Sequence, residues 1–238
     1  MMSAPDPTPD ANQDPAPDDR RPIPQRDHRP WKAAAAALVN AGVSANAVSV
    51  LGMLAALAAG GALTTTAYLP AADLGTRALF VAAALLIPLR LIANMLDGMV
   101  AVASGTASPV GELYNEIPDR VSDAAVLVGL GYAAGGHPAL GWAAALLAVM
   151  TAYIRSTGKN AGAAQCFVGP MAKQHRMWIV VVAALVAAAW PATLHLGGHG
   201  VVDAALGLIV VGSTLTCVRR LRLITQALKT PADGGSAS

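Results

Sequence analysis

The chain has 238 residues, of which 55% are apolar and only 13% are charged, and its mean hydropathy is +0.51. Soluble domains are about a quarter charged, so a water-soluble fold of this size could not cover so much apolar surface with polar side chains. The formal net charge of +2 is small, and no feature of the sequence indicates a nucleic-acid partner. The composition therefore predicts an integral membrane protein.

Six predominantly apolar stretches divide the chain. They are Ala47–Leu69, Ala78–Leu96, Val121–Ala134, Ala139–Ile154, Met177–Leu196 and Val201–Val218. Most of them approach the ~20 residues that an α-helix needs to cross ~30 Å of hydrocarbon. Because they are continuously rich in Ala, Leu and Val, without alternation, they exclude a closed barrel. The third stretch is short, so its helix must include the polar residues that precede it.

The regions outside these stretches predict the domain organisation. Residues 1–30 are rich in Pro, Asp and Arg and contain no apolar run, which predicts a disordered cytoplasmic tail and no signal peptide. The segment Trp31–Asn40 could lie as a helix in the membrane interface or extend the first span, and Ser44 is a suitable N-cap. We expect one membrane domain over 31–224 and a flexible tail over 225–238.

The distribution of basic residues predicts the orientation. With six spans and a cytoplasmic N-terminus, almost all of them lie on the cytoplasmic side: Arg20, Arg21, Arg26, Arg29, Lys32, Arg120, Arg155, Lys159, Lys173, Arg176, Arg219, Arg220, Arg222 and Lys229. Only Arg77 lies outside, and Arg90 lies within a span. This follows the positive-inside rule. The sequence thus predicts an all-α polytopic protein with both termini cytoplasmic, in a membrane such as the bacterial inner membrane.

Acidic residues are concentrated between the second and third spans. Of the seven in Trp31–Thr230, five lie in this window: Asp97, Glu112, Glu116, Asp119 and Asp123. An ionisable group inside a membrane is costly and therefore indicates a function. Helical spacing places Arg90, Asn94 and Asp97 on one face of the second helix, and Asn115, Asp119 and Asp123 on one face of the third.

Two antiparallel helices with these faces would form an oxygen-lined pocket near the cytoplasmic end. Carboxylate and amide oxygens are the ligands that Mg²⁺ and Mn²⁺ prefer, and Gly98 would let a ligand approach the backbone. Paired intramembrane acids also suit a proton or ion pathway. The residues alone therefore leave a metal site and a small transporter open.

The spacing of these residues resembles the signature of the CDP-alcohol phosphotransferases, D-x2-D-G-x2-A-R-x8-G-x3-D-x3-D. Laid on the sequence without gaps, the signature places matching residue types at Asp97, Gly98, Ala101, Gly111 and Asp119. The six-span layout is also similar to the family, so the resemblance covers most of Trp31–Leu223. Three positions depart from it. Asn94 and Asn115 replace the first and third aspartates, and Val102 replaces the arginine.

The resemblance implies transfer of a phosphatidyl, or other substituted phosphate, group from a CDP-linked donor to an alcohol, with release of CMP. CDP-diacylglycerol is the expected donor, and phospholipid biosynthesis is the expected process. The resemblance implies Asp119 as the base, and it implies a homodimer surrounded by membrane lipids. It also implies Mg²⁺ or Mn²⁺ at Asp97, Asp119, Asn94 and Asn115, where Glu116 could restore one negative charge.

The remaining implied contacts concern donor and acceptor. Gly98, Ala101 and Gly111 are expected to face the donor. Some family members that take a phosphorylated acceptor carry basic residues at places similar to Arg155, Lys173 and Arg176. The alternative for these three is that they anchor anionic headgroups. The departures at Asn94, Asn115 and Val102 keep a second function open, a diverged relative that binds lipid or nucleotide without catalysis.

Overall fold

The computed structural model describes residues 28–106, 109–195 and 200–229. The predicted N-terminal tail lies outside these ranges except for 28–30, and the predicted C-terminal tail lies outside them from residue 230. Seven α-helices occupy the described part of the chain: α1 (Arg29–Asn40), α2 (Ala45–Thr65), α3 (Leu74–Ala103), α4 (Pro109–Gly131), α5 (Pro138–Asn160), α6 (Lys173–Ala189) and α7 (Val201–Lys229). Short 3₁₀ turns follow α2 and α6, at Thr66–Tyr68 and Pro191–His195.

Local sequence explains where the first helices begin. Ser44 caps α2, because its Oγ accepts a hydrogen bond from Ala47 N at 3.2 Å, and this confirms the predicted N-cap. Asp73 caps α3 in the same way, through Gly75 N at 3.0 Å. Between α1 and α2 the chain turns at Gly42, which has a φ of 72°. Helix α1 is therefore separate from α2 and does not extend the first span.

Among the residues that the structure describes, four helices are long and apolar enough to cross a membrane: α2 with its 3₁₀ turn, α3, α5 and α7. Large apolar side chains such as Leu54, Leu85 and Leu146 are exposed on them, as expected where lipid replaces water. Helix α6 has only 17 residues, and α4 contains four of the five clustered acidic residues. The chain is a membrane protein with an all-α fold, while the count of six spans stays a prediction.

Several helix boundaries differ from the predicted spans for physical reasons. Helix α3 continues past Leu96 to Ala103, and the one polar side chain of this extension, Asp97, is hydrogen-bonded inside the bundle by Ser49. Helix α4 includes the polar residues from Pro109 onward, as predicted. Helix α6 ends at Ala189 rather than Leu196, because Pro191 disfavours helical geometry at the residue before it. Helix α7 continues to Lys229, beyond the predicted boundary at residue 224.

Small residues allow the helices to pack closely. Helix α2 packs against α3 and α4, α5 packs against α4 and α7, and α6 packs against α3. At the crossing of α2 and α4, a Cβ added to Gly129 would lie 2.5 Å from the carbonyl oxygen of Gly60. At the crossing of α4 and α5, Gly131 meets Gly141 in a similar way. Such contacts between small residues are typical of helix packing in membranes.

This packing brings the polar residues to one end of the bundle. The first turns of α2, α4 and α6 lie there together with the last turns of α3, α5 and α7, as the hydrogen bonds between these segments show. Arg77, at the start of α3, lies at the opposite end. The acidic cluster therefore shares its end of the molecule with most of the described basic residues.

Candidate active site

Asp97 is buried near the end of α3 and receives hydrogen bonds from three directions. Ser49 Oγ of α2 donates to its Oδ2 at 2.8 Å. The backbone N of Gly98 donates to its Oδ1 at 2.6 Å, and Asn115 Nδ2 of α4 donates to the same oxygen at 3.4 Å. These donors fix the carboxylate at the junction of α2, α3 and α4. Ser49 was not predicted, because no spacing in the sequence relates it to the signature.

Asp119 lies on α4 and is held by cations from two other helices. Arg90 Nη2 of α3 donates to its Oδ1 at 2.9 Å and to its carbonyl oxygen at 3.2 Å. Lys173 Nζ of α6 donates to its Oδ2 at 2.5 Å, and Arg120 Nη2 lies 3.6 Å from that oxygen. The carboxylate is mostly buried, so these charge-assisted bonds determine its orientation.

The two asparagines connect the two carboxylates. Asn94 Oδ1 accepts a hydrogen bond from Lys173 Nζ at 2.6 Å, and Asn94 Nδ2 lies 3.4 Å from Asn115 Oδ1. Asn94, Asp97, Asn115 and Asp119 line one small cavity. Its other walls are Ser49, Gly52, Met53, Arg90, Pro118 and Ser122. The sequence-predicted faces of α3 and α4 therefore do meet at one site.

Behind this site lies a fully buried ion-pair network centred on Asp123. Its Oδ1 is 3.2 Å from Arg90 Nη2, and its Oδ2 accepts a hydrogen bond from Arg176 Nη2 at 3.2 Å. Arg176 Nη1 also donates to the carbonyl oxygen of Met171 at 3.0 Å. The side chains of Asp123, Arg90 and Arg176 are at most 2% exposed. Arg176 is thus enclosed by protein, where an acceptor phosphate would not reach it without rearrangement.

Glu116 does not join the cluster that surrounds Asp97. Its Oε1 accepts a hydrogen bond from Arg155 Nη2 at 2.8 Å, and its Oε2 lies 3.3 Å from Arg120 Nη2. Arg155 also lies over the ring of Phe167, with its guanidinium carbon 5.3 Å from the ring centroid. The structure therefore places Glu116 with the basic residues and does not bring it to the predicted metal ligands.

The residues that the resemblance assigns to the donor continue the two faces of the site. Ala101 follows Asp97 by one helical turn, and Gly111 precedes Asn115 by one turn, so both lie toward the connection between α3 and α4. The amide of Gly98 is already bonded to Asp97. Val102 is exposed. The donor-facing roles of Gly98, Ala101 and Gly111 stay predictions.

One basic residue of α7 has a structural role that the sequence did not indicate. Arg220 of α7, predicted only to lie on the cytoplasmic side, is buried, and its Nη1 donates to the carbonyl oxygen of Thr151 at 2.6 Å. Its Nε donates to the carbonyl oxygen of Val168 at 2.9 Å. Beside it, Thr216 Oγ1 accepts a hydrogen bond from Met171 N at 3.0 Å. Arg220 and Thr216 thus fasten the loop 161–172, which leads to Lys173.

The oxygen ligands available at this site fit a hard divalent cation only in part. Within the ranges that the structure describes, no group of three or more His, Cys, Asp or Glu side chains could hold a metal ion. A cation would therefore rely on Asp97 together with amide oxygens. Carboxylate and amide oxygens suit Mg²⁺ or Mn²⁺ in kind, and Asn115 carries the side-chain amide that bonds Asp97. Asn94 and Asp119 are engaged by Lys173.

Comparison with known proteins supports the resemblance drawn from the signature. No family model matches the chain. A segment of 82 residues is 37% identical to the archaetidylinositol phosphate synthase of Aeropyrum pernix. That segment is 34% of this chain and 42% of the synthase, so the match spans less than half the length of this curated relative.

Solved structures show the fold over a much larger share of the chain. The phosphatidylinositol phosphate synthase of Mycobacterium tuberculosis with CDP-DAG bound has a TM-score of 0.67 at 23% identity, and the alignment covers 89% of this chain and 100% of that one. The same synthase in complex with manganese and citrate has a TM-score of 0.68 at 22% identity, covering 87% and 93%. The resemblance to the CDP-alcohol phosphotransferases is therefore confirmed at the level of the fold.

Proposed function

We propose that the chain is a membrane CDP-alcohol phosphotransferase that uses CDP-diacylglycerol, or another CDP-linked donor, in phospholipid biosynthesis. The observation that carries this proposal is the meeting of Asn94, Asp97, Asn115 and Asp119 at one cavity. These residues have the signature spacing, and they lie in a fold shared with a synthase solved with CDP-DAG bound. A transporter built on the same acids would leave the signature spacing of Gly98, Ala101 and Gly111 unexplained.

The proposed reaction is a displacement at phosphorus. The acceptor hydroxyl oxygen forms a bond to the β-phosphorus of the donor, the bond from that phosphorus to the bridging oxygen breaks, and CMP leaves. Asp119 accepts the proton of the hydroxyl group. Arg90 donates a hydrogen bond to the Asp119 carboxylate and so fixes its orientation. Such reactions depend on alignment and on neutralisation of phosphate charge.

A divalent cation, Mg²⁺ or Mn²⁺, would be held by Asp97 with Asn115, and it would supply neutralisation of the pyrophosphate charge. Ser49 and the Gly98 amide orient the Asp97 carboxylate for this role. The amide of Asn115 can turn to present its oxygen, since it bonds Asp97 only weakly at 3.4 Å.

The acceptor that fits best is a phosphorylated alcohol. The named products of both relatives, an archaetidylinositol phosphate and a phosphatidylinositol phosphate, carry a phosphate in the headgroup. In this chain Arg155 is 23% exposed and is paired with Glu116, which is itself 42% exposed. Because this ion pair is partly exposed, a phosphate can replace the Glu116 carboxylate as the partner of Arg155. Arg155 is therefore the proposed acceptor-phosphate contact, whereas Lys173, predicted for the same role, bonds Asn94 and Asp119.

The proposed setting is a cell membrane with the site at the cytoplasmic face. Six crossings, including α4 and α6, would place the end that contains the site on the same side as the basic residues of α5, α6 and α7, in agreement with the positive-inside rule. In a bacterium this is the inner membrane. A homodimer is proposed from the family resemblance and is measurable by cross-linking in native membranes.

The test is release of CMP by the full chain purified in detergent. It is supplied with CDP-diacylglycerol, Mg²⁺ or Mn²⁺, and a panel of acceptors: inositol phosphate, glycerol phosphate, inositol, glycerol and serine. Asp97→Ala and Asp119→Ala are compared with Asp73→Asn, a control at the far end of α3 that keeps an N-cap residue. Release that needs both cluster aspartates supports the proposal.

Other results would assign a different function. The replacement of two family aspartates by Asn94 and Asn115 favours a diverged binder as the second candidate. No release with any donor, together with retained binding of CDP, would establish that candidate. Ion flux into vesicles that depends on Asp97 would instead establish a transporter.

A further inference from the structure

The ammonium group of Lys173 occupies an unusual position for an acceptor contact. It donates to Asn94 Oδ1 at 2.6 Å and to Asp119 Oδ2 at 2.5 Å. These are two of the four residues predicted to face a metal, and they come from different helices. A cation at this point bridges α3 and α4 from the side of α6.

The surrounding cluster already contains more basic than acidic groups. Two carboxylates, Asp119 and Asp123, lie within 3.6 Å of four cationic groups: Arg90, Arg120, Lys173 and Arg176. An aspartate at position 94 would add a negative charge beside the ammonium group. Because the residue is Asn94, a single cation suffices there. A divalent ion in the same place would add to the excess positive charge before any donor binds.

We infer that Lys173 is a resident cation of the donor-phosphate site, where it takes the place of a divalent ion between Asn94 and Asp119. The role of phosphate neutralisation rests on the proposed function, but the position of the charge does not. A divalent ion then has room only on the Asp97 and Asn115 side. Without donor, it binds against the repulsion of the nearby ammonium group.

Binding of Mn²⁺ to the protein tests this directly, without catalysis. The full chain in detergent is titrated with Mn²⁺ in the absence of donor, and free Mn²⁺ is measured by electron paramagnetic resonance. Lys173→Gln removes the charge, Lys173→Arg keeps it, and Lys159→Gln is the matched control on an exposed lysine of α5. We expect Lys173→Gln to bind Mn²⁺ at least about tenfold more tightly than the wild type. The other two variants should bind as the wild type does.

Two outcomes of the Mn²⁺ titration would overturn the inference. One is unchanged or weaker Mn²⁺ binding in Lys173→Gln, and the other is equally tight binding in Lys173→Arg, since charge would then not be the cause. The wild type provides a check that needs no variant to fold. Competition is reciprocal, so saturating Mn²⁺ should at least double the acylation of Lys173 relative to Lys159, measured by mass spectrometry. Unchanged acylation of Lys173 would also refute the inference.

The result is separable from the proposed function. If no donor gives CMP release but Lys173→Gln gains affinity for Mn²⁺, the resident cation stands and the enzymatic function fails. If CMP is released but Mn²⁺ affinity does not respond to Lys173, the enzyme stands and the resident cation fails.

Discussion

Asp123 is the residue whose replacement should damage the site most without touching the cavity. Its carboxylate is 1% exposed and joins two guanidinium groups, each at 3.2 Å. In Asp123→Asn, Arg90 and Arg176 would both remain buried without that negative charge. Breaking a buried ion pair by removing one partner costs about 3–5 kcal/mol. We therefore expect a loss of that size in the free energy of unfolding, measured in mixed micelles with increasing denaturing detergent.

The control and a rescue make this prediction specific. Asp73→Asn should change the free energy of unfolding by less than about 0.5 kcal/mol, since asparagine also caps helices. Asp123→Leu combined with Arg176→Met should recover at least about 1 kcal/mol relative to Asp123→Leu alone, because no uncompensated charge remains on α6. A loss below about 1 kcal/mol in Asp123→Asn would refute the view that this network supports the site.

Three further predictions concern packing, the loop before α6 and metal affinity. Gly129→Leu should abolish recovery of folded protein, measured by size-exclusion chromatography, since its Cβ would lie 2.5 Å from a carbonyl oxygen of α2. Gly207→Leu should be recovered normally, because a Cβ at Gly207 meets open space. Arg220→Ala should release the loop 161–172 and speed its limited proteolysis at least about threefold, while the exposed Arg222→Ala should not. Asn115→Asp should strengthen Mn²⁺ binding at least about tenfold, measured by the same paramagnetic titration, because a second carboxylate then faces Asp97.

The periodicity of the sequence was sufficient to predict the two faces of the site. The spacing of Arg90, Asn94 and Asp97 follows from the helix alone, and so does the spacing of Asn115, Asp119 and Asp123. Both faces exist in the structure and they meet. The cost of acidic groups in an apolar chain was likewise sufficient to locate the site.

Contacts between distant helices could not be predicted in this way. Ser49 reaches Asp97 because α2 and α3 approach closely at Gly52 and Ala93, and such crossing geometry is not encoded in any local pattern. The contact between α4 and α5 is not encoded locally either. Glu116 was predicted beside the metal ligands, but in the structure its carboxylate bonds Arg155 of α5.

The central claim is that the cluster between α3 and α4 transfers a substituted phosphate group from a CDP-linked donor. The most direct measurement is release of CMP from CDP-diacylglycerol by the purified chain, with a phosphorylated alcohol as acceptor. We expect release by the wild type and by Asp73→Asn, and a loss of at least about a hundredfold in Asp97→Ala and in Asp119→Ala. Release that persists in both cluster variants would contradict it.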